Sequence, residues 1–354
     1  MSKRTFTRVL RRLTEQPWAI LPSSLETICA VVQARMDGID LSADEKLAVQ
    51  KMAAARQQPQ QSDGAVGVLP LFGPIAARMN MFTEISGGTS MDAWMKDFRA
   101  MRDDPGVKSI LLDVDSPGGE VALVPEAADE ILASRGTKPI IALARPMMAS
   151  AAYWLSAAAD EIVVTPSGEV GSIGVVLMHA DYSKQNEMAG VKPTYITYGD
   201  HKAEGNPDEP LTDETRQYLQ EMVNAVGEQF VKFVAKARGV SVSTVKGEFG
   251  SGRMLRADRA VEVGAANRVG TYEKTLAQMV RQRVGGAKAT VTVPAMAAEA
   301  TTVTTTDTPA VAFTVPATTT APVVDMTVQV EEPPVVDETV MAAEAEAIGI
   351  ALTE

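Results

Sequence analysis

The most constraining feature of the chain is an alternation. Between Ala65 and about Arg283, apolar runs of strand length recur at 66–72, 109–114, 139–143, 161–164, 173–178 and 194–197, with helical periods between several of them. Met91, Met95, Phe98 and Met101 share one helical face, and 121–134 and 150–159 carry similar periods. Buried strands separated by helices predict an α/β domain with a largely parallel sheet. A long helix is expected over 213–238, with Tyr218, Met222, Val226, Phe230, Phe233 and Val234 on its apolar face. Both stripes are read as core packing.

The flanks differ from this middle. Ser23 and Glu26 have capping-box spacing and predict a helix from there to about Met36, followed by a short helix near 43–55 and a linker at 57–64 (QQPQQSDG). Residues 1–63 are thus expected to form an N-terminal helical extension, 64–284 the main domain, and 285–354 a tail. Residues 291–354 hold ten acidic residues, 14 threonines and six prolines but no Lys or Arg, so the tail carries most of the net charge of −12. Such a composition buries too little apolar surface to offset chain entropy and predicts disorder, apart from a short helix at 341–352. The tail serves either solubility or partner binding.

Composition excludes several function classes. With 33 Lys plus Arg against 45 Asp plus Glu, the broad basic face of a nucleic-acid binder is not expected. One cysteine, Cys29, and two histidines, His179 and His201, do not suit an internal disulfide or a Cys/His metal centre. No run approaches the roughly 20 apolar residues that cross a bilayer. The basic start, with Arg4, Arg8, Arg11 and Arg12, lacks an apolar signal core. A cytoplasmic protein without an integral membrane segment is expected.

Three segments could carry chemistry. A buried strand runs into Ser116-Pro117-Gly118-Gly119, where paired glycines allow close backbone approach and can present N–H groups to an oxyanion. Ser150 lies in Met148-Ala149-Ser150-Ala151-Ala152-Tyr153, at the expected start of an alanine-rich helix. Lys202 lies in a polar loop, Tyr198 to Pro207. A lysine whose ammonium form is disfavoured by burial can act as general base for a serine. Taken singly, each has an ordinary explanation: a tight turn, a helix cap and a solvated surface charge.

In order, these segments with Gly171-Ser172-Ile173-Gly174-Val175 resemble the signal peptide peptidase A family of serine peptidases, over roughly 65–272. The 52-residue step from Ser150 to Lys202 resembles the family's nucleophile-to-base spacing. The resemblance implies Ser150 as nucleophile, Lys202 as general base, Ser172 orienting the lysine, and the N–H groups of Gly119 and Ala151 as the oxyanion hole. It also implies the Clp protease/crotonase-like fold of repeated ββα units, no metal or organic cofactor, a peptide or protein substrate, and a homo-oligomer. One protease unit, the Trp18-Ala19-Ile20-Leu21-Pro22 stretch and an acidic tail are similar to the single-domain head-maturation proteases (protein C type) of tailed phages and prophages. On that resemblance the substrates are scaffold, portal or capsid proteins, met in the host cytoplasm or the procapsid.

Alternatives remain open in the sequence. His179 could replace Lys202 as base, as in Clp proteases. The chain could be a non-catalytic capsid assembly or scaffold protein on a protease fold, a soluble bacterial peptidase degrading signal-peptide-like segments, or a crotonase-type enzyme acting on a coenzyme A thioester. Small side chains around Ser150 fit an extended peptide with small or apolar residues, bound by strand addition. Self-cleavage is expected at accessible segments, 57–64 or the tail after Arg283.

Overall fold

The structure, a computed structural model, describes residues 16–36, 58, 60–62, 65–78 and 88–284. The expected helices at 43–55 and 341–352 and the whole of the tail, 285–354, lie outside the described residues, which fall in a compact unit bounded by Met1–Thr290.

The chain opens with β1 (Trp18–Ile20), α1 (Pro22–Met36) and β2 (Gln60–Ser62). It continues through β3 (Val66–Phe72), β4 (Ile75–Ala76), β5 (Thr89–Ser90), α2 (Met91–Asp103), β6 (Ser109–Ser116), β7 (Gly118–Glu120) and α3 (Val124–Ala133). Next come β8 (Ile140–Ala149), α4 (Ala151–Ala157), β9 (Glu161–Val164), β10 (Glu169–Gly171), α5 (Ser183–Met188) and α6 (Asp213–Arg238). The described part ends with α7 (Val242–Glu248), β11 (Met254–Arg256), α8 (Ala257–Glu262), β12 (Arg268–Val269) and α9 (Tyr272–Val284).

The large sheet runs β11-β10-β8-β6-β3-β2, with β9 beside the first half of β8 and β12 beside β9. Pairing is parallel throughout except at β2–β3 and β10–β11. The small sheet runs β1-β7-β4-β5. β3-β4-α2 and β6-β7-α3 are equivalent ββα units: β3 lies parallel to β6, and β4 parallel to β7 through Ile75 and Gly119. The α/β class with a parallel sheet and repeated ββα units is therefore the observed one.

Local sequence explains most boundaries. Met91, Met95, Phe98 and Met101 are buried along α2, as is Trp94, whose Nε1 donates to the Pro70 carbonyl at 2.8 Å. α6 starts where Thr212 Oγ1 accepts the Thr215 N–H at 3.1 Å and stops at Gly239, whose φ of 68° suits glycine. Its core face is only half the expected length: Phe230, Phe233 and Val234 are buried, whereas Tyr218 is exposed.

Four expectations need correction. α1 begins at Pro22, whose fixed φ suits the first helical position, and Leu21 O accepts the N–H groups of Ser24 and Leu25, so a Ser23–Glu26 capping box does not set its start. Segment 173–178 forms no named strand; Val176 alone bridges, and its partner is Trp18. Segment 194–197 is exposed and irregular. β8 does not stop at Leu143 but runs on to Ala149, because β10 takes over from β9 as its neighbour at Met147.

Candidate active site

β8 and α4 place Ser150 between them. Ser150 takes φ 54° and ψ −117°, so it is a turn residue rather than part of the first helical turn. Its N–H donates to the Gly171 carbonyl at 2.8 Å, and its carbonyl accepts the Trp154 N–H at 2.9 Å. The side chain is fully buried, and Oγ lies 3.4 Å from the Gly174 carbonyl. The nucleophile candidate is thus pinned by the two glycines that bracket Ser172 and Ile173.

The paired glycines face it. At the end of β6, Ser116 Oγ donates to the Gly73 carbonyl at 2.7 Å and accepts the Gly118 N–H at 3.2 Å, which shapes the turn. Gly118 has φ 96°, and a Cβ there would lie 2.9 Å from Ser150 Cβ and 3.0 Å from Ala151 N. At Gly119 a Cβ would lie 2.0 Å from the Ile75 carbonyl oxygen, so only glycine lets β7 run this close to β4. Hence Gly118, Gly119, Ser150 and Ala151 converge. The structural part of Ser116 was missed because nothing in a Ser-Pro-Gly-Gly string shows where the hydroxyl points. Buried Glu120 also escaped notice; its Oε2 accepts the Ala77 N–H at 2.9 Å, tying the small sheet to the segment after β4.

The remaining expected residues are placed differently. Ser172 is buried at φ 52°, and its N–H donates to the Arg253 carbonyl at 2.9 Å. Lys202 is exposed in a turn, its N–H on the Gly199 carbonyl at 3.2 Å, and among the described residues no hydrogen bond joins its side chain to Ser150 or Ser172. His201 is exposed and pairs through Nδ1 with Glu204 at 3.1 Å. His179 is half-buried with Nε2 unpaired, and it lines a cavity of about 480 Å³ together with Asp181 and Arg216. Met188, Ile196, Tyr198 and Tyr218 are all exposed, on α5, on the segment leading to Lys202, and on α6.

The helix that follows Ser150 is firmly held. Trp154 stacks on Phe230 of α6, and the Tyr153 hydroxyl donates to the Ala265 carbonyl at 2.8 Å. Burial pushes the Tyr153 phenol up to about 12. Arg135 donates to the carbonyls of Ala157, Ala158 and Ala159 at the end of α4, and to that of Ala237 near the end of α6. Among the described residues no group of three or more His, Cys, Asp or Glu is placed to hold a metal ion, and no helix is long and apolar enough to cross a membrane.

A parallel α/β sheet built from ββα units, with a serine at the turn between a central strand and a short helix facing a Gly-Gly strand, is the arrangement expected of the Clp protease/crotonase-like fold that the sequence resembles. Within it, residues 133–284 match the model of peptidase family S49.

Curated relatives agree in kind. Capsid assembly protease C of Escherichia phage lambda is 35% identical over 215 residues, covering 59% of this chain and 49% of that protein. Head-tail preconnector protein GP5 of Enterobacteria phage P21 is 35% identical over 202 residues, 57% of this chain and 40% of its own length. Protease 4 of Salmonella typhi is 28% identical over 196 residues, 55% and 31% respectively. The chain spans half or less of the length of these relatives. Among solved structures, a mutant of the 1510-N membrane-bound stomatin-specific protease matches with a TM-score of 0.37 and 14% identity, covering 62% of this chain and 86% of that one.

Proposed function

We propose that the chain is a serine endopeptidase in which Ser150 is the nucleophile, Lys202 the general base and Ser172 an orienting group. The carrying observation is the convergence of Ser150, Gly118, Gly119 and Ala151 at the head of α4. Neutral Lys202 takes the Ser150 proton as Oγ attacks a scissile carbonyl, whose oxygen is received by the N–H groups of Gly119 and Ala151. The lysine then protonates the leaving amine, and water, deprotonated by the same group, hydrolyses the acyl-enzyme. No metal or organic cofactor enters this scheme.

Lys202 stands in solvent, so the dyad forms only when its loop is brought onto Ser150. The exposed Met188 on α5, Ile196 and Tyr198 on the segment leading to Lys202, and Tyr218 on α6 support delivery within a homo-oligomer, where burial would also favour the neutral amine. Similarity to the lambda and P21 proteins supports a role in capsid maturation, with a scaffold, portal or capsid protein as substrate in the host cytoplasm or procapsid. A second reading has His179 as base, favoured by its unpaired Nε2.

The test is casein cleavage by wild type, Ser150→Ala and Lys202→Ala. Cleavage is expected in wild type, none in Ser150→Ala, and a loss of about 10²–10⁴-fold in Lys202→Ala. A folded Ser150→Ala protein with undiminished activity overturns the assignment.

A further inference from the structure

β1 lies in the groove beside Ser150 and is paired along both edges. On one edge it runs antiparallel to β7, with Trp18, Ala19 and Ile20 opposite Glu120, Gly119 and Gly118. On the other, Trp18 N donates to the Val176 carbonyl at 2.8 Å and Val176 N to the Trp18 carbonyl at 2.9 Å. The chain's own N-terminal segment therefore fills the position between the Gly-Gly strand and the segment after Ser172, where an added strand would meet the nucleophile.

Register fixes which bond is presented. Trp18 spends its N–H and carbonyl on Val176, so by the alternation of a strand those of Ala19 face β7. Leu21 N donates to the Pro117 carbonyl at 2.9 Å, which makes Ala19 and Gly119 the next hydrogen-bonded pair and directs the Ala19 carbonyl to the Gly119 N–H. The point where a Gly118 Cβ would sit lies 2.2 Å from the Ala19 carbonyl oxygen, 2.9 Å from Ser150 Cβ and 3.0 Å from Ala151 N. The Ala19 carbonyl thus stands among the serine and both oxyanion donors. Its methyl group is fully buried in the main core, whereas Trp18 and Ile20 pack with Leu25, Ile28 and Val32 of α1.

We infer that β1 occupies the place of a substrate strand and that Ala19–Ile20 is a self-processing bond of this protein. The inference rests on the serine peptidase reading above. Ser150 Oγ attacks the Ala19 carbonyl carbon and its proton passes to the base. The Ala19–Ile20 C–N bond breaks, the Ile20 nitrogen takes that proton, and an ester joins Ala19 to Ser150. Water then hydrolyses the ester, releasing residues 1–19 as a free acid and leaving a chain that begins at Ile20. The enclosed alanine also sets the preference at this subsite: a small side chain on the carbonyl side of the cut.

The full chain is incubated and followed by intact mass and N-terminal sequencing, with casein as an external substrate in parallel. Loss of residues 1–19 is expected in wild type and in Ala19→Gly, and is expected to vanish in Ser150→Ala and in Ala19→Glu. Casein cleavage by a chain whose Ala19–Ile20 bond stays intact overturns the inference and leaves the peptidase reading standing. If neither casein nor the chain is cut, the peptidase reading falls and the inference with it. A cut at Ala19–Ile20 that persists in Ser150→Ala also overturns self-processing.

Discussion

The indole of Trp154 lies flat on the ring of Phe230, with centroids 4.3 Å apart and planes 5° from parallel. Both residues are fully buried, and the contact braces the helix that begins next to Ser150 against α6. Phe230→Ala removes that brace and leaves a cavity, so urea unfolding is expected to show a loss of about 3–5 kcal/mol. Activity should fall as well, because α4 carries the Ala151 N–H of the proposed oxyanion hole.

Arg135 closes the other end of the same helix. Replacement by Met keeps the aliphatic stem but strands carbonyls of Ala157, Ala158, Ala159 and Ala237. The expected cost is about 1–3 kcal/mol for each group left buried and unpaired, moderated where water enters, and thermal unfolding checks it.

The Tyr153 phenol titrates near 10.0 when unfolded and at about 12 when folded, since burial disfavours the phenolate. Between those values the folded state holds a proton that the unfolded state has lost. This part of the stability is therefore complete below the lower value and declines as pH rises toward the upper one. In Tyr153→Phe the decline should be shallower, as read from denaturation midpoints across the alkaline range.

His179 and His201 separate the two candidate bases. If Lys202 is the base, His179→Ala and His201→Ala retain casein cleavage. If one copy supplies the lysine to another, mixing inactive Ser150→Ala with inactive Lys202→Ala restores part of the activity. A mixture that stays inactive points to closure within one chain.

Much of this arrangement was legible in sequence because its signals are local. α6 is bounded by a threonine cap and a glycine stop, and α2 shows its buried stripe as an unbroken 3.6-residue period. Ser150 and the Gly-Gly pair stood out by order and composition. What escaped depends on distant partners. β1 is three residues long, and its neighbours Gly119 and Val176 lie far along the chain. For the same reason 173–178 reads as a strand from its apolar run, although only Val176 finds a strand partner. Pro146 hid the continuation of β8, since proline in a strand ordinarily marks an edge or an end. Lys202 stands in an exposed turn, and no local pattern encodes where its side chain goes.

Ser150 holds a backbone conformation, φ 54° and ψ −117°, that side chains with a Cβ ordinarily avoid at a cost of about 1–3 kcal/mol. Glycine at this position would relieve that tension, so Ser150→Gly should unfold at a higher temperature than Ser150→Ala, which keeps the Cβ without the hydroxyl. The position is one where durability and reactivity pull in opposite directions. The proposed nucleophile keeps this conformation only because the Gly171 carbonyl, the Trp154 N–H and the packing of α4 together outweigh what its own backbone prefers.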